Sequence, residues 1–351
     1  MSNFNISPYT VVQFDVNLEI YNKLRTLSIR RTLIAISGYN PLFNYLDYSD
    51  LSEIHYLYPL EDTQEKKCIF CHKTSNEVTF IKDPHVIPYL LGNSFLLHHE
   101  ECDECNTFFG EVLECELDKY IKPYRTLNRL KNRKGNLINT IISGERSFKY
   151  NETSNSYDFK LQEEEFDLVQ DSKTITFKLK QEKHSPMLVY KAFMKILFGL
   201  LPRNHLYKFE KMRKWIIDRD ESLILFSPLN AIKTRLDGFS TSTLDVIIFH
   251  KETSTLEQFK NNSVKKEDFE YLGYIRFGSI VIEVPLFTDL NFEKIKYMGD
   301  HNIKPEFSFP NIPKPGFPQN HELLDFSEIR KIRTEEKMFF SFEKITENEI
   351  N

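Results

Sequence analysis

Two Cys-x-x-Cys brackets, Cys68-Ile-Phe-Cys71 and Cys102-Asp-Glu-Cys105, stand in this 351-residue chain with 30 residues between them. Cysteines paired at this spacing can aim both sulfurs at one ion, and two such pairs complete a tetrahedral thiolate site. Closing the intervening loop costs about 3 kcal/mol by the logarithmic loop rule. A structural zinc contributes roughly 10–16 kcal/mol, so metal binding outweighs closure. Four thiolates leave no open coordination position. The zinc is therefore expected to be structural, and any metal-assisted chemistry needs a second ion. His72 borders the first knuckle but has no place in a filled tetrahedron.

The alternative for four cysteines is disulfides. The N-terminus carries no basic-then-apolar signal pattern, and no apolar run approaches the roughly 18 residues of a membrane span. A soluble, cytoplasmic protein is expected, in which thiols stay reduced. The fifth cysteine, Cys115, lies on a helix pattern and is expected to be packed. With 40% hydrophobic residues, 30 Phe and 17 Tyr, the chain can fill real cores. Its net charge of −5 excludes a globally basic nucleic-acid coat but leaves room for a local basic stripe.

The expected class is α+β, in four stretches. Residues 1–65 form a lead segment with a helix candidate from Leu18 to Ile36, and 66–134 hold the motif-rich unit. Residues 135–325 read as a separate α+β domain of regulatory or partner-binding role, and 326–351 as a charged tail. After Cys105 the apolar positions Phe109, Val112, Leu113, Leu117, Tyr120 and Ile121 recur at three- and four-residue intervals, the stripe of an amphipathic helix expected to stop before Pro123. Charge then reverses: Lys122, Arg125, Arg129, Lys131, Arg133 and Lys134 occur without an acid among them. Further on, Leu188–Leu201 and Leu206–Ile217 read as helices. Leu137–Ile142, Tyr157–Leu161, Thr174–Leu179, Leu223–Phe226 and Leu244–His250 read as strands. Tyr271–Phe277 and Ile280–Leu286 form a hairpin through Gly278-Ser279. Five prolines from Pro305 to Pro318 mark an extended segment.

The insert supplies the chemistry. Asp83-Pro84-His85-Val86-Ile87-Pro88, Gly92 and Cys102-x-x-Cys105-Asn106, continued by Phe109-Gly110, Leu113-Glu114 and Pro123-Tyr124-Arg125-Thr126-Leu127, resemble the HNH (His-Me finger) endonucleases with a four-cysteine zinc site. Weaker similarity to a set of bacterial proteins with this module near the N-terminus extends to Val189-Tyr190-Lys191-Ala192 and Leu200-Leu201-Pro202. The resemblance implies a zinc-stapled ββα-metal nuclease module. In it His85 is the general base, a role that needs a neutral imidazole near pH 7. It implies Asn106 and an acidic residue as ligands of a catalytic Mg²⁺ or Mn²⁺. It also implies a setting in defence against phage or plasmids. The family's acid directly precedes the histidine; here Pro84 stands there, and Asp83 is the substitute, since residues two apart share a strand face. The middle asparagine that orients the histidine falls near Leu97 or His98, leaving His98, His99 or Asn93 as replacements.

Arg125 foremost, with Arg129, Lys131, Arg133 and Lys134, is expected to hold phosphates of DNA, with RNA left open. Two further readings stand beside a free-running nuclease. One is a non-catalytic, zinc-stabilised nucleic-acid-binding or adaptor protein, which Pro84 favours. In the other, the C-terminal half senses a regulatory protein partner or ligand and keeps the nuclease silent without it.

Overall fold

The computed structural model describes residues 2–6, 38–48, 54–58, 65–143, 146–161, 166–169, 174–221, 223, 228–236, 244–262, 266–303, 306–308, 321–341 and 345–348. The helix expected at 18–36, nearly all of the strand at 223–226 and most of the proline-rich segment lie outside these residues.

From the N-terminal side come β1 (Asn40–Asn44) and β2 (His55–Leu57). Within the insert, β3 (Leu96–His98) lies between two neighbours. It runs parallel to β2, with His55 opposite Leu96, and it bridges His85 in antiparallel fashion through Leu97. After the second knuckle the chain forms α1 (Asp103–Phe108), a π-helical turn (Phe109–Leu113) and α2 (Glu114–Leu127) without a break. The apolar stripe read from the sequence is the buried face: Phe109, Leu113, Leu117, Tyr120 and Ile121 are all inside.

The helix does not stop before Pro123; it runs through it to Leu127. Proline removes the N–H that would bond the carbonyl four residues back, yet Tyr124 and Leu127 extend the buried stripe beyond it. Side chains also cap nearby carbonyls: Gln181 Nε2 donates to Tyr120 O at 3.1 Å and Asn128 Nδ2 to Tyr124 O at 2.8 Å. Packing overrides the local penalty.

The structure places α3 at Pro186–Leu200 and α4 at Glu210–Ile217. Ser185 caps α3, its side chain accepting from Leu188 N, and Pro186 opens the first turn. The second expected helix begins as a 3-10 stretch, Arg203–Phe209. Every residue of α3 is buried, as expected of a helix apolar on all sides. Five of its side chains, Val189, Phe193, Ile196, Leu197 and Leu200, are fully inside. They contribute on the order of 10 kcal/mol of transfer free energy.

One face of α3 meets an antiparallel sheet of β4 (Asn230–Arg235), β5 (Leu244–His250), β6 (Tyr271–Phe277), β7 (Ile280–Leu286) and β8 (His321–Asp325). The order is β8-β4-β7-β6-β5-β1. Gly273 in β6 is a place where only hydrogen fits: a Cβ there would lie 2.2 Å from Leu197 Cδ1. The β6–β7 hairpin has the limits read from the sequence, and Gly278 turns it with φ 59. On the insert side, Gly199 of α3 lets Val86 Cγ1 approach to 3.5 Å of its notional Cβ, and Phe198 packs on Phe70 with ring centroids 5.4 Å apart. So α3 is a central layer between sheet and insert.

Strand pairings also run between the stretches named from the sequence. Strand β1 of the lead segment is the edge of the C-terminal sheet, and Ser2–Ile6 pairs with both Ser156–Leu161 and Ile345–Asn348. Glu335–Ser341, in the stretch read as a charged tail, pairs with Thr174–Lys180. One buried cluster includes residues from Tyr39 through the knuckles and α3 to Phe326. Cys115, expected to pack, is exposed.

Candidate active site and metal centre

The knuckle turns are built by backbone hydrogen bonds. Cys68 N donates to Lys73 O at 2.9 Å and His72 N to Cys68 O at 2.9 Å, with His72 in the left-handed region at φ 64. The second bracket opens α1, with Cys102 at its N-cap. All four Sγ atoms lie within 4.8 Å of one another, and Cys71 Sγ is 3.7 Å from Cys102 Sγ. A tetrahedron with Zn–S bonds near 2.3 Å has an edge of about 3.8 Å. The donor set and spacing fit zinc. The thiols are pulled in opposite directions: a hydrogen bond from Cys105 lowers Cys68, while burial raises Cys102. A divalent cation removes that conflict by taking all four as thiolates.

Between the knuckles, Asn93 fixes the loop from the His85 strand to β3. It is fully buried; Nδ2 donates to Ile87 O at 2.8 Å and Leu96 O at 2.9 Å, while Oδ1 accepts from Leu96 N at 3.0 Å. His98, the other named replacement, is structural. Its Nδ1 accepts from Glu100 N at 2.9 Å and its ring hydrogen-bonds the Gly199 backbone, while burial drops it to about 3. His99 instead stacks on Tyr56, with centroids 3.7 Å apart and planes 8° from parallel.

His85 is half-buried. Its Nδ1 is buried with no hydrogen-bond partner, and burial lowers its pKa, helped by Arg133 and Lys195. A neutral imidazole at pH 7 follows. Asp83 is exposed and accepts from Tyr56 OH at 3.0 Å. Asn106 sits in the second turn of α1, donating its backbone N–H to Cys102 O. The segment before Asp83 is stapled to the same helix. Ile81 N and Lys82 N donate to Asp103 at 3.1 and 2.9 Å, and Lys82 Nζ reaches Thr107 Oγ1 at 2.9 Å. Among the described residues, the four cysteines are the group of three or more His, Cys, Asp or Glu at metal-ligand spacing; His85 and Asp83 join no such group.

The basic stretch divides sharply. Arg125, first choice from the sequence, is only 5% exposed and pairs with Asp118, so it faces the interior of α2 rather than a phosphate groove. Arg129 is spent on Tyr150, 4.4 Å over its ring, and on Tyr157 OH at 3.1 Å. Lys131 pairs with Glu152 at 3.5 Å, and Lys134 is exposed. Arg133 is exposed, lies 6.0 Å from the Tyr89 ring centroid and is close enough to His85 to lower its pKa. Tyr89 in turn meets His85 edge-on at 6.1 Å.

A two-stranded bridge bearing a histidine, followed by a helix and clamped by a four-sulfur cluster, is now complete. Residues 68–121 match the HNH endonuclease family. No curated protein and no solved structure matches the chain. The HNH match covers both knuckles, His85, Asn93 and Asn106 but ends before Arg133. It excludes Tyr56 and Lys195, whose side chains touch the insert from sequence far away; only their contacts reveal them.

No helix among the described residues is long and apolar enough to cross a membrane.

Proposed function

We propose that this protein is a metal-dependent endonuclease that hydrolyses DNA phosphodiester bonds, with His85 as general base. The observation that carries this reading is His85 itself: a half-buried imidazole biased toward neutrality, on the strand bridged to β3 and inside an HNH match. His85 takes a proton from the attacking water, and protonation is opposed by burial and two cations, so the base is regenerated by release to solvent. Arg133 holds a phosphate beside the cut; Arg125 has no such role. Asp83 and Asn106 offer carboxylate and amide oxygens, hard donors suited to Mg²⁺ or Mn²⁺. When bound there, such an ion stabilises charge on the leaving 3′-oxygen.

The test is plasmid cleavage by purified protein with Mg²⁺ or Mn²⁺. His85→Ala is expected to abolish cutting while zinc content and melting temperature stay at wild-type values. Undiminished cutting by that variant removes His85 as base.

A second reading, a zinc-stabilised nucleic-acid binder without catalysis, is favoured by Pro84 in the acid's place and by the Tyr56 hydrogen bond that already occupies Asp83. Titration calorimetry separates them: a binder takes up no Mn²⁺ beyond its zinc.

A further inference from the structure

We infer that Lys195, on α3 and outside the HNH match, is the positioning residue that fixes the His85 backbone, the task for which neither Asn93 nor His98 is free. This rests on the proposed nuclease reading and deepens it. Backbone bonds hold the residues on either side of His85, His98 N to Pro84 O at 2.9 Å and Val86 N to Leu96 O at 3.3 Å. The polar side chains of the insert are committed elsewhere: the Asn93 amide to Ile87 O, Leu96 O and Leu96 N, and the His98 ring to Glu100 N and the Gly199 backbone. Asn93 clamps the loop two residues beyond His85 and does not reach it.

Lys195 does. Its Nζ lies 3.4 Å from His85 O and 3.2 Å from Glu101 Oε2. The side chains of Lys195 and Glu101 are 3% and 1% exposed, and Nζ sits 5.3 Å from the Phe109 ring centroid. An ammonium in so dry a place is held by its acceptors. Glu101 is the residue before Cys102, so the zinc knuckle anchors one end of the chain of contacts and the His85 carbonyl the other. The other oxygen, Glu101 Oε1, is buried and has no hydrogen-bond partner, so Lys195 is its carboxylate's main support. Because α3 also packs on the sheet through Leu197 against Gly273, the position of the catalytic strand is coupled to the C-terminal half.

Lys195→Met alone would strand a buried carboxylate, so the deciding variant is the double change Lys195→Met with Glu101→Gln, which leaves no unpaired charge. In the zinc-loaded full chain it should fold and keep one zinc. Its kcat on plasmid should fall about 10- to 100-fold, the usual cost of losing a residue that orients a functional group, with KM within twofold of wild type. Lys195→Arg should recover most of the rate. Imidazole ¹H–¹⁵N correlation spectra read the same effect without any substrate: His85 gives one sharp ring signal in the wild type and a broadened or split one in the double variant. Wild-type kcat together with an unchanged His85 signal overturns the inference. If the wild-type protein does not cut DNA but His85 loses order in the double variant, the nuclease reading fails and the positioning role stands.

Discussion

Replacing Asn93 isolates how the insert is held. Its amide makes three contacts of 2.8–3.0 Å in a site with no solvent exposure. Leu96 O keeps a second partner, Val86 N at 3.3 Å, when the side chain is lost. Ile87 O and Leu96 N are the groups that lose Asn93. A buried backbone group left unpaired costs about 1–3 kcal/mol, so two of them predict a loss of about 2–6 kcal/mol. Set against a total stability of roughly 5–15 kcal/mol, that is a severe substitution. Asn93→Asp is the sharper perturbation, because it keeps the shape and removes only the donors. Both its oxygens are acceptors, and one would face the Ile87 and Leu96 carbonyls. Urea denaturation of zinc-loaded protein measures the change as a shift in midpoint at constant slope. A loss below 1 kcal/mol for Asn93→Asp would falsify the idea that these hydrogen bonds hold the loop.

Other consequences follow from the same contacts. Elemental analysis should find one zinc per chain, and strong chelation or Cys71→Ser should abolish cooperative unfolding, since binding is worth roughly 10–16 kcal/mol; a metal-free protein with an unchanged melt contradicts the centre. Gly278→Ala would put a Cβ 2.2 Å from Asn128 Cγ at φ 59. Strain of this kind costs about 1–3 kcal/mol, visible as a lowered melting temperature; an unchanged melt rules out the close approach. His98 is held neutral down to about 3 in the fold, while in the unfolded chain it titrates near 6.5. Below about 6.5 the unfolded state binds a proton that the fold refuses, so stability falls with pH. The drop between pH 7.5 and 5.5 is about 1.4 kcal/mol, and His98→Gln should remove that component; an equal slope in the variant refutes it.

What the sequence made legible were features carried by short spacing. The cysteine brackets imply their cluster because four sulfurs serve one ion, and the apolar stripe of α2 implies its buried face because period 3.6 is a geometric necessity. The hairpin limits at 271–277 and 280–286 were readable from the alternation of strand and turn residues. Less legible was everything decided by distant partners. Arg125 looks like the best phosphate ligand in a basic run, but the run is half helix. Its guanidinium falls on the inner side, where Asp118 meets it. Pro123 reads as a stop because its local penalty is visible and the packing of Tyr124 and Leu127 is not. Asn93 was one of three candidates for a polar clamp, and only the observed hydrogen bonds separate it from His98 and His99. The pairing of β1 with β5, some 200 residues away, leaves no trace in either segment.

The insert is thus constrained from three sides by different physics. The four-cysteine cluster gathers its two ends, hydrogen bonding through Asn93 fixes its middle, and burial against α3 fixes its underside. Each constraint alone is compatible with a displaced His85: the cysteine cluster holds residues 14 positions or more away, Asn93 begins at Ile87, and apolar packing is tolerant of sliding. Their intersection is narrow. Several polar contacts that cross from α3 and the residues after it to the insert, Lys195 to Glu101, Arg203 to Glu100 at 2.8 Å and Arg213 to Phe70 O, fall on the knuckle segments or residues next to them, while Lys195 also reaches His85 O at 3.4 Å. A shift of α3 is therefore transmitted both to the knuckle segments and, through Lys195, directly to the strand that bears His85. That makes the later sequence part of the site's geometry, even though no residue of it lies within the HNH match.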